Sequence, residues 1–240
     1  KKCLITGASS GLGLELTKLL IRQGAEVIML CRNESKAKEI VKKLLAENPQ
    51  AKLHIEIADF SSLESVKRFT KEFKRKHQSL DMLINNAALL NDKTTKTVDG
   101  FESMFQVNYL APFVLTNSLQ PLLENGKSSQ IVNITLPPDD LKLDFKKIQS
   151  PEDFKPMRHL FNTKLCLFLY SVELSDRLKK SKINVFTGVP SIRPFKTNLG
   201  RDLSFLMKLM MRAISVDVRK VAGNLMRVVE KDDVKQGFVF

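Results

Sequence analysis

The chain has 240 residues, 43% hydrophobic and 27% charged, with a formal net charge of +13. That length suffices for one large core, and the composition is that of an ordinary globular chain rather than a low-complexity or disordered one. No stretch reaches the roughly 18 apolar residues of a membrane span; the longest run is Leu165–Tyr170.

The positive charge is spread along amphipathic segments such as Lys71–Lys76, without interleaved aromatics. Solvated helix faces are the simplest reading. A nucleic-acid partner is not expected, while contact with an anionic membrane surface or an acidic partner stays open. Cys3, Cys31 and Cys166 lie in apolar contexts without metal-ligand spacing, which predicts reduced core thiols and an intracellular compartment, whether cytoplasmic, organelle-associated or mitochondrial. Residue 1 directly precedes a strand, so an anchor or targeting segment upstream is an open matter. The sequons at Asn33 and Asn133 are read as chance matches, the second because it falls in a buried strand.

In chain order, apolar runs predict strands at Cys3–Thr6, Glu26–Cys31, Lys52–Ile57, Leu80–Asn85, Gln130–Thr135, Ile183–Thr187 and Gly237–Phe240. Helices are predicted near Gly11–Gly24, Glu34–Asn48, Ser62–His77, Phe101–Glu124, Pro156–Lys180 and Val216–Glu230. Runs such as Val27–Cys31 do not alternate, as befits parallel strands covered on both faces. The expected fold is α/β: residues 1–240 as one Rossmann-type domain, a doubly wound parallel sheet of about seven strands with helices on both faces. The Phe101–Glu124 and Pro156–Lys180 helices are apolar over more than one stripe. One side should meet the sheet, the other a second subunit or a rearranged tail or loop. Two irregular stretches stand out, Pro137–Pro156 and Pro190–Ser215. The second, with Leu203, Phe205, Leu206, Leu209 and Met210 beside Arg201, Lys208 and Arg212, is expected to cover a cleft.

Thr6-Gly-Ala-Ser-Ser-Gly-Leu-Gly13 follows the first strand and opens the first helix. Gly7, Gly11 and Gly13 allow a tight turn and close approach of a pyrophosphate to helix N–H groups, with Ser9, Ser10 and Leu12 completing the loop. After the second strand stands Arg32, with no acid to bind a ribose 2′-hydroxyl. Arg32 suits a 2′-phosphate instead, so the expected cofactor is NADP(H).

These residues, with others downstream, resemble the short-chain dehydrogenase/reductases, and within them the retinol-dehydrogenase-like group. Thr6–Gly13 is similar to the family's glycine turn, and Asp59 to its adenine-contacting aspartate. Asn85-Asn86-Ala87-Ala88 resembles its NNAG motif, with Ala88 in place of glycine, and Gln106-Val-Asn108 resembles the segment whose asparagine holds a relay water. Ile131–Ile134 resembles the strand leading into Ser-Ser. The resemblance implies a cofactor site built from Gly7, Ser9, Ser10, Gly11, Leu12, Gly13, Arg32, Asp59, Asn86, Ala87, Lys164, Pro190 and Thr197.

The departures fall in the proton-transfer half. The family's catalytic serine position is Leu136, and its tyrosine position, four before Lys164, is Leu160. Lys164 and Asn108 remain of the four-residue site. Pro190-Ser191 replaces Pro-Gly, and the stretch to Thr197 is about two residues longer. The neighbours Thr135 and His159 reach the site only if the backbone shifts, and no metal site is expected. Two readings follow. One is an NADP(H)-binding pseudoenzyme serving as scaffold, sensor or assembly subunit. The other is an active NADPH-dependent oxidoreductase on a lipophilic, retinoid- or steroid-like carbonyl or alcohol, with an altered proton donor.

Overall fold

The computed structural model describes residues 1–136, 143, 148–149, 154–188, 217–230 and 237–239. Seven strands form one sheet: β1 (Lys2–Thr6), β2 (Glu26–Cys31), β3 (Lys52–Ile57), β4 (Met82–Asn85), β5 (Ser129–Ile134), β6 (Ile183–Gly188) and β7 (Gly237–Val239). Their order is β3-β2-β1-β4-β5-β6-β7, with every pairing parallel. The expected α/β sheet of seven strands is therefore the one observed. β1, β2, β4 and β5 are almost wholly buried, which explains their unbroken apolar runs. β3 is one edge strand, and its Lys52, His54 and Glu56 punctuate an otherwise apolar sequence. Charged side chains on such an edge discourage pairing with another chain.

The helices are α1 (Gly11–Arg22), α2 (Glu34–Glu47), α3 (Leu63–Lys76), α4 (Ser103–Phe105), α5 (Ala111–Glu124), α6 (Pro156–Arg177) and α7 (Val218–Val229). One core joins the sheet to α1, α2 and α7 through Leu16, Leu20, Leu44 and Leu225. The other joins it to α3, α5 and α6 through Phe69, Phe73, Leu119 and Leu174. Local chemistry sets the helix starts. Asn33 caps α2 by accepting from Lys36 N–H at 2.8 Å, and Ser62 caps α3 by accepting from Ser65 N–H at 3.2 Å. Basic Lys74, Arg75 and Lys76 complement the C-terminal end of α3.

Two boundaries differ from the sequence expectation. β4 begins at Met82, because Leu80 N–H bonds to Leu122 O at 2.9 Å and ties the approach to α5 instead. The predicted helix over 101–124 starts at Ser103 and contains a π-helical turn at Gln106–Leu110 between α4 and α5. Proline at 112 explains the widening. It has no N–H to continue the i→i−4 ladder, and the Ala111 N–H reaches back five residues to Gln106 O.

Candidate cofactor cleft and altered proton-transfer site

β1 and β4 are neighbours in the sheet, and the strands that follow each of them run off in opposite directions. Such a reversal opens a crevice beyond the carboxyl ends of the strands. Thr6–Gly13 fills the floor of this crevice. Gly7 has φ +67° and Gly11 φ +55°, a region that favours glycine. A Cβ on Gly13 would stand 2.5 Å from Gly7 O and 2.6 Å from Asn86 Nδ2, and one on Gly7 would stand 3.0 Å from Ala87 Cα. Only a bare backbone fits there. Asn86 locks the turn to β4: its Nδ2 donates to Thr6 O at 2.8 Å, while the N–H groups of Asn86 and Ala87 donate to Thr6 Oγ1 at 3.0 and 2.9 Å.

Ser10 stands at the N-cap of α1 but makes no side-chain capping bond. The first-turn N–H groups, Leu12 and Gly13 among them, are thus left for an anion, at the positive end of the helix dipole. Together the glycine cradle and the uncapped helix start fit a pyrophosphate.

Arg32 lies immediately beyond β2 and is exposed, with no carboxylate beside it in sequence. Asp59, beyond β3, is partly buried. Its Oδ1 accepts from Ser61 N–H at 2.9 Å and Ser61 Oγ at 2.7 Å, so it also closes a local turn.

The residues expected for proton transfer lie on or next to β5, α6 and the π-helical turn. Lys164, buried on α6, donates from Nζ to Ile134 O at 2.8 Å. Burial pushes its ammonium pKa down from 10.5 to about 8. Asn108 is fully buried in the π-helical turn. Its Nδ2 donates to Leu89 O at 2.9 Å and Thr163 Oγ1 at 3.1 Å, and its Oδ1 accepts from Leu89 N–H at 2.7 Å. It therefore ties the chain after β4 to α6. Leu160 stands one helical turn before Lys164. With Leu90 and Met104 it forms a buried apolar cluster, against which Leu89, Leu136 and Phe154 pack half-buried.

A match to the family model described as short chain dehydrogenase covers residues 1–136. Retinol dehydrogenase 14 of Mus musculus is 36% identical over 214 residues, 85% of this chain and 64% of that protein. The WW domain-containing oxidoreductase of Homo sapiens is 36% identical over 187 residues, 74% of this chain and 45% of that protein. The chain belongs to the short-chain dehydrogenase family. Within it, the chain is retinol-dehydrogenase-like, and it spans about half to two thirds of the length of the curated relatives it matches. Solved structures show the same fold. Salutaridine reductase from Papaver somniferum has a TM-score of 0.75 at 20% identity, covering 99% of both chains. A short-chain dehydrogenase from Sphingobium yanoikuyae in complex with NADPH has a TM-score of 0.76 at 20% identity, covering 99% of this chain and 86% of that one.

Within this short-chain dehydrogenase, Thr135 is spoken for. Its N–H donates to Gly188 O at 2.8 Å, and its Oγ1 leans on the same carbonyl at 3.4 Å. His159 is buried. Its ring lies 4.6 Å from that of Phe154, neither ring nitrogen makes a hydrogen bond, and burial lowers its pKa. The Glu102 carboxylate and the backbone at Ile148 act to raise that pKa, but less than burial lowers it. Pro190 and Thr197, with the expected cover at 190–215, lie outside the described residues. No group of three His, Cys, Asp or Glu suited to a metal occurs among the described residues. Sequence reading missed the π-helical turn that carries Asn108; Pro112 was the available signal.

Proposed function

We propose that this short-chain dehydrogenase binds NADP(H) and lacks ordinary carbonyl reductase activity, acting as a scaffold, a sensor or a subunit of an assembly. In this reading Gly7, Ser9, Ser10, Gly11, Leu12 and Gly13 cradle the pyrophosphate and Arg32 meets the 2′-phosphate. Asp59, Asn86 and Ala87 border the adenosine half, and Lys164 holds the nicotinamide ribose. The cofactor, when bound, supplies or accepts a hydride. The chain must supply the proton and orient the oxygen.

One observation carries the reading. Leu136 and Leu160 share one apolar cluster, Leu160 lies one helical turn before Lys164, and neither leucine offers a proton or a hydrogen bond. A positioned general acid is worth roughly 10²–10⁴ in rate and an oxyanion donor roughly 10²–10³. The two losses overlap rather than multiply, because such groups act as a unit. The test is to titrate NADPH and NADH by fluorescence and to follow NADPH consumption over retinoid, steroid and small-carbonyl substrates. Tight NADPH binding without turnover is expected. Equal affinity for NADH, or turnover at roughly 1–10³ s⁻¹, overturns the reading.

A second reading, an active NADPH-dependent oxidoreductase on a lipophilic carbonyl or alcohol, is favoured by Lys164 itself. An ammonium with its pKa at about 8 is matched to proton donation near neutral pH. Loss of all turnover in Lys164→Met, with the fold intact, would favour it.

A further inference from the structure

We propose that α3 rests its outer face on an anionic lipid surface, held by charge rather than by insertion. This face is no part of the cofactor cleft, and its role does not depend on whether NADP(H) binds.

Val66, Phe69, Thr70 and Phe73 are buried and turn one side of α3 to the core it shares with α5. The exposed remainder carries Lys67, Arg68, Lys71, Lys74, Arg75 and Lys76 against two carboxylates, Glu64 and Glu72. Lys71 has Lys67, Arg68, Lys74 and Arg75 three or four residues away, so cations flank it on both adjacent turns. Lys76 pairs with Glu56 of β3 at 3.0 Å, while the other five cations make no ion pair among the described residues. Asp99, near the helix start, is already engaged: it accepts from Leu63 N–H and from Gln106 Nε2, each at 2.8 Å. Other helices neutralise their own charges. Lys38 pairs with Glu34 and Lys43 with Glu39 on α2, each at 2.7 Å, and Arg177 pairs with Glu173 on α6.

Helix stability does not account for this ridge. Like charges three and four residues apart repel and cost the helix stability. The helix dipole favours Lys74, Arg75 and Lys76 in the last turn, but Lys67, Arg68 and Lys71 precede it. Shape and chemistry then select the occupant. The ridge is convex and runs about 21 Å over the 14 residues of the helix. No large apolar side chain of α3 is exposed, so the face lacks the anchor that a protein partner buries in a pocket. Long basic side chains on a convex face match a plane of diffuse negative charge, where each one near the surface is worth about five-fold in affinity.

The test is vesicle sedimentation with the whole chain. Phosphatidylcholine vesicles with about one third phosphatidylserine are compared with phosphatidylcholine alone, at about 0.1 and 0.5 M salt. Binding is expected to the anionic vesicles only, and to weaken by at least about ten-fold at the higher salt. Lys67→Gln with Lys71→Gln and Arg75→Gln is expected to weaken it by at least about 30-fold. The control, Lys38→Gln with Lys42→Gln and Lys43→Gln, removes the same charge from α2 on the opposite face of the sheet and should change binding by less than about three-fold. If the α3 variant does not fold, acetylation of the unaltered chain decides: anionic vesicles should protect Lys67, Lys71 and Lys74 and leave Lys38 and Lys42 reactive. Equal binding to phosphatidylcholine alone, no binding to either vesicle, an equal loss in the α2 variant, or protection no greater on α3 than on α2 overturns the proposal. Retention on immobilised polyglutamate without vesicle binding also overturns it, and assigns the face to an acidic polypeptide.

Discussion

Leu136 and Leu160 are far apart in sequence and meet in one cluster with Leu90 and Met104. In the proposed reading these are the two positions where the family carries hydroxyls, so the cluster they share would make that part of the site dry. Reverting both, Leu136→Ser with Leu160→Tyr, is expected to raise NADPH-dependent carbonyl turnover by at least about 10², more than either single change. The added hydroxyls should cost about 1–3 kcal/mol in denaturant unfolding, because the tyrosine must enter space packed for leucine. Lys164 exerts the opposite strain. Its folded-state pKa lies below its unfolded value, so the unfolded chain binds more protons between about pH 8 and 10.5. Stability from this group therefore rises with pH across that window, and its full cost is felt below pH 8. Lys164→Met is expected to raise Tm at pH 7 by about 2–8 °C and to remove that rise, while weakening NADPH binding. An unchanged Tm would show that the burial of the lysine is already compensated.

At the level of elements, α6 carries Leu160 and Lys164 and starts at Pro156. His159 sits in its first turn against Phe154, buried and without a hydrogen-bond partner. Glu102 favours its protonated form and Arg158 opposes it, but burial dominates and lowers the pKa. The sign follows: the unfolded chain takes up the proton first, so stability is full above about pH 6.5 and is lost as pH falls through that value. His159→Phe is expected to flatten the fall in Tm between pH 7.5 and 5.5 relative to the unaltered chain, even though His77, also lowered, keeps its own contribution. The glycine turn is the other element-level constraint. Gly13→Ala forces a Cβ against Gly7 O and Asn86, and should abolish NADPH binding by fluorescence titration while costing about 1–3 kcal/mol.

Across the whole molecule, two helix layers sandwich the sheet, and the outer side of one is apolar. Phe113 on α5 and Leu169 and Val172 on α6 are exposed, and Phe113 meets Tyr170 edge-on at 5.0 Å. The long apolar run at Leu165–Tyr170 is thus only partly explained by burial against the sheet. Association of two copies through these helices is the expected use of the remainder. Leu169→Lys with Val172→Lys should convert a dimer to a monomer in sedimentation velocity without lowering NADPH affinity. A monomeric unaltered chain would refute the association.

Fold class, strand order of appearance and the glycine turn were readable from the chain alone, while Leu136, Leu160, Lys164 and Asn108 were singled out through the family resemblance. The first three rest on local chemistry: apolar runs for buried strands and glycine where a backbone must pass close. Other features depended on contacts between distant segments. The inward burial of His159, the commitment of Thr135 to Gly188 O, and the use of Asn108 to join Leu89 to Thr163 are set by what α6 and β6 bring near. The lowered pKa of Lys164 is likewise a property of its surroundings, since desolvation has no local sequence signature. The sequence by itself determined which groups were available for chemistry; the tertiary structure decided their solvent, because exposure and hydrogen-bond partners come from packing between elements that periodicity does not encode.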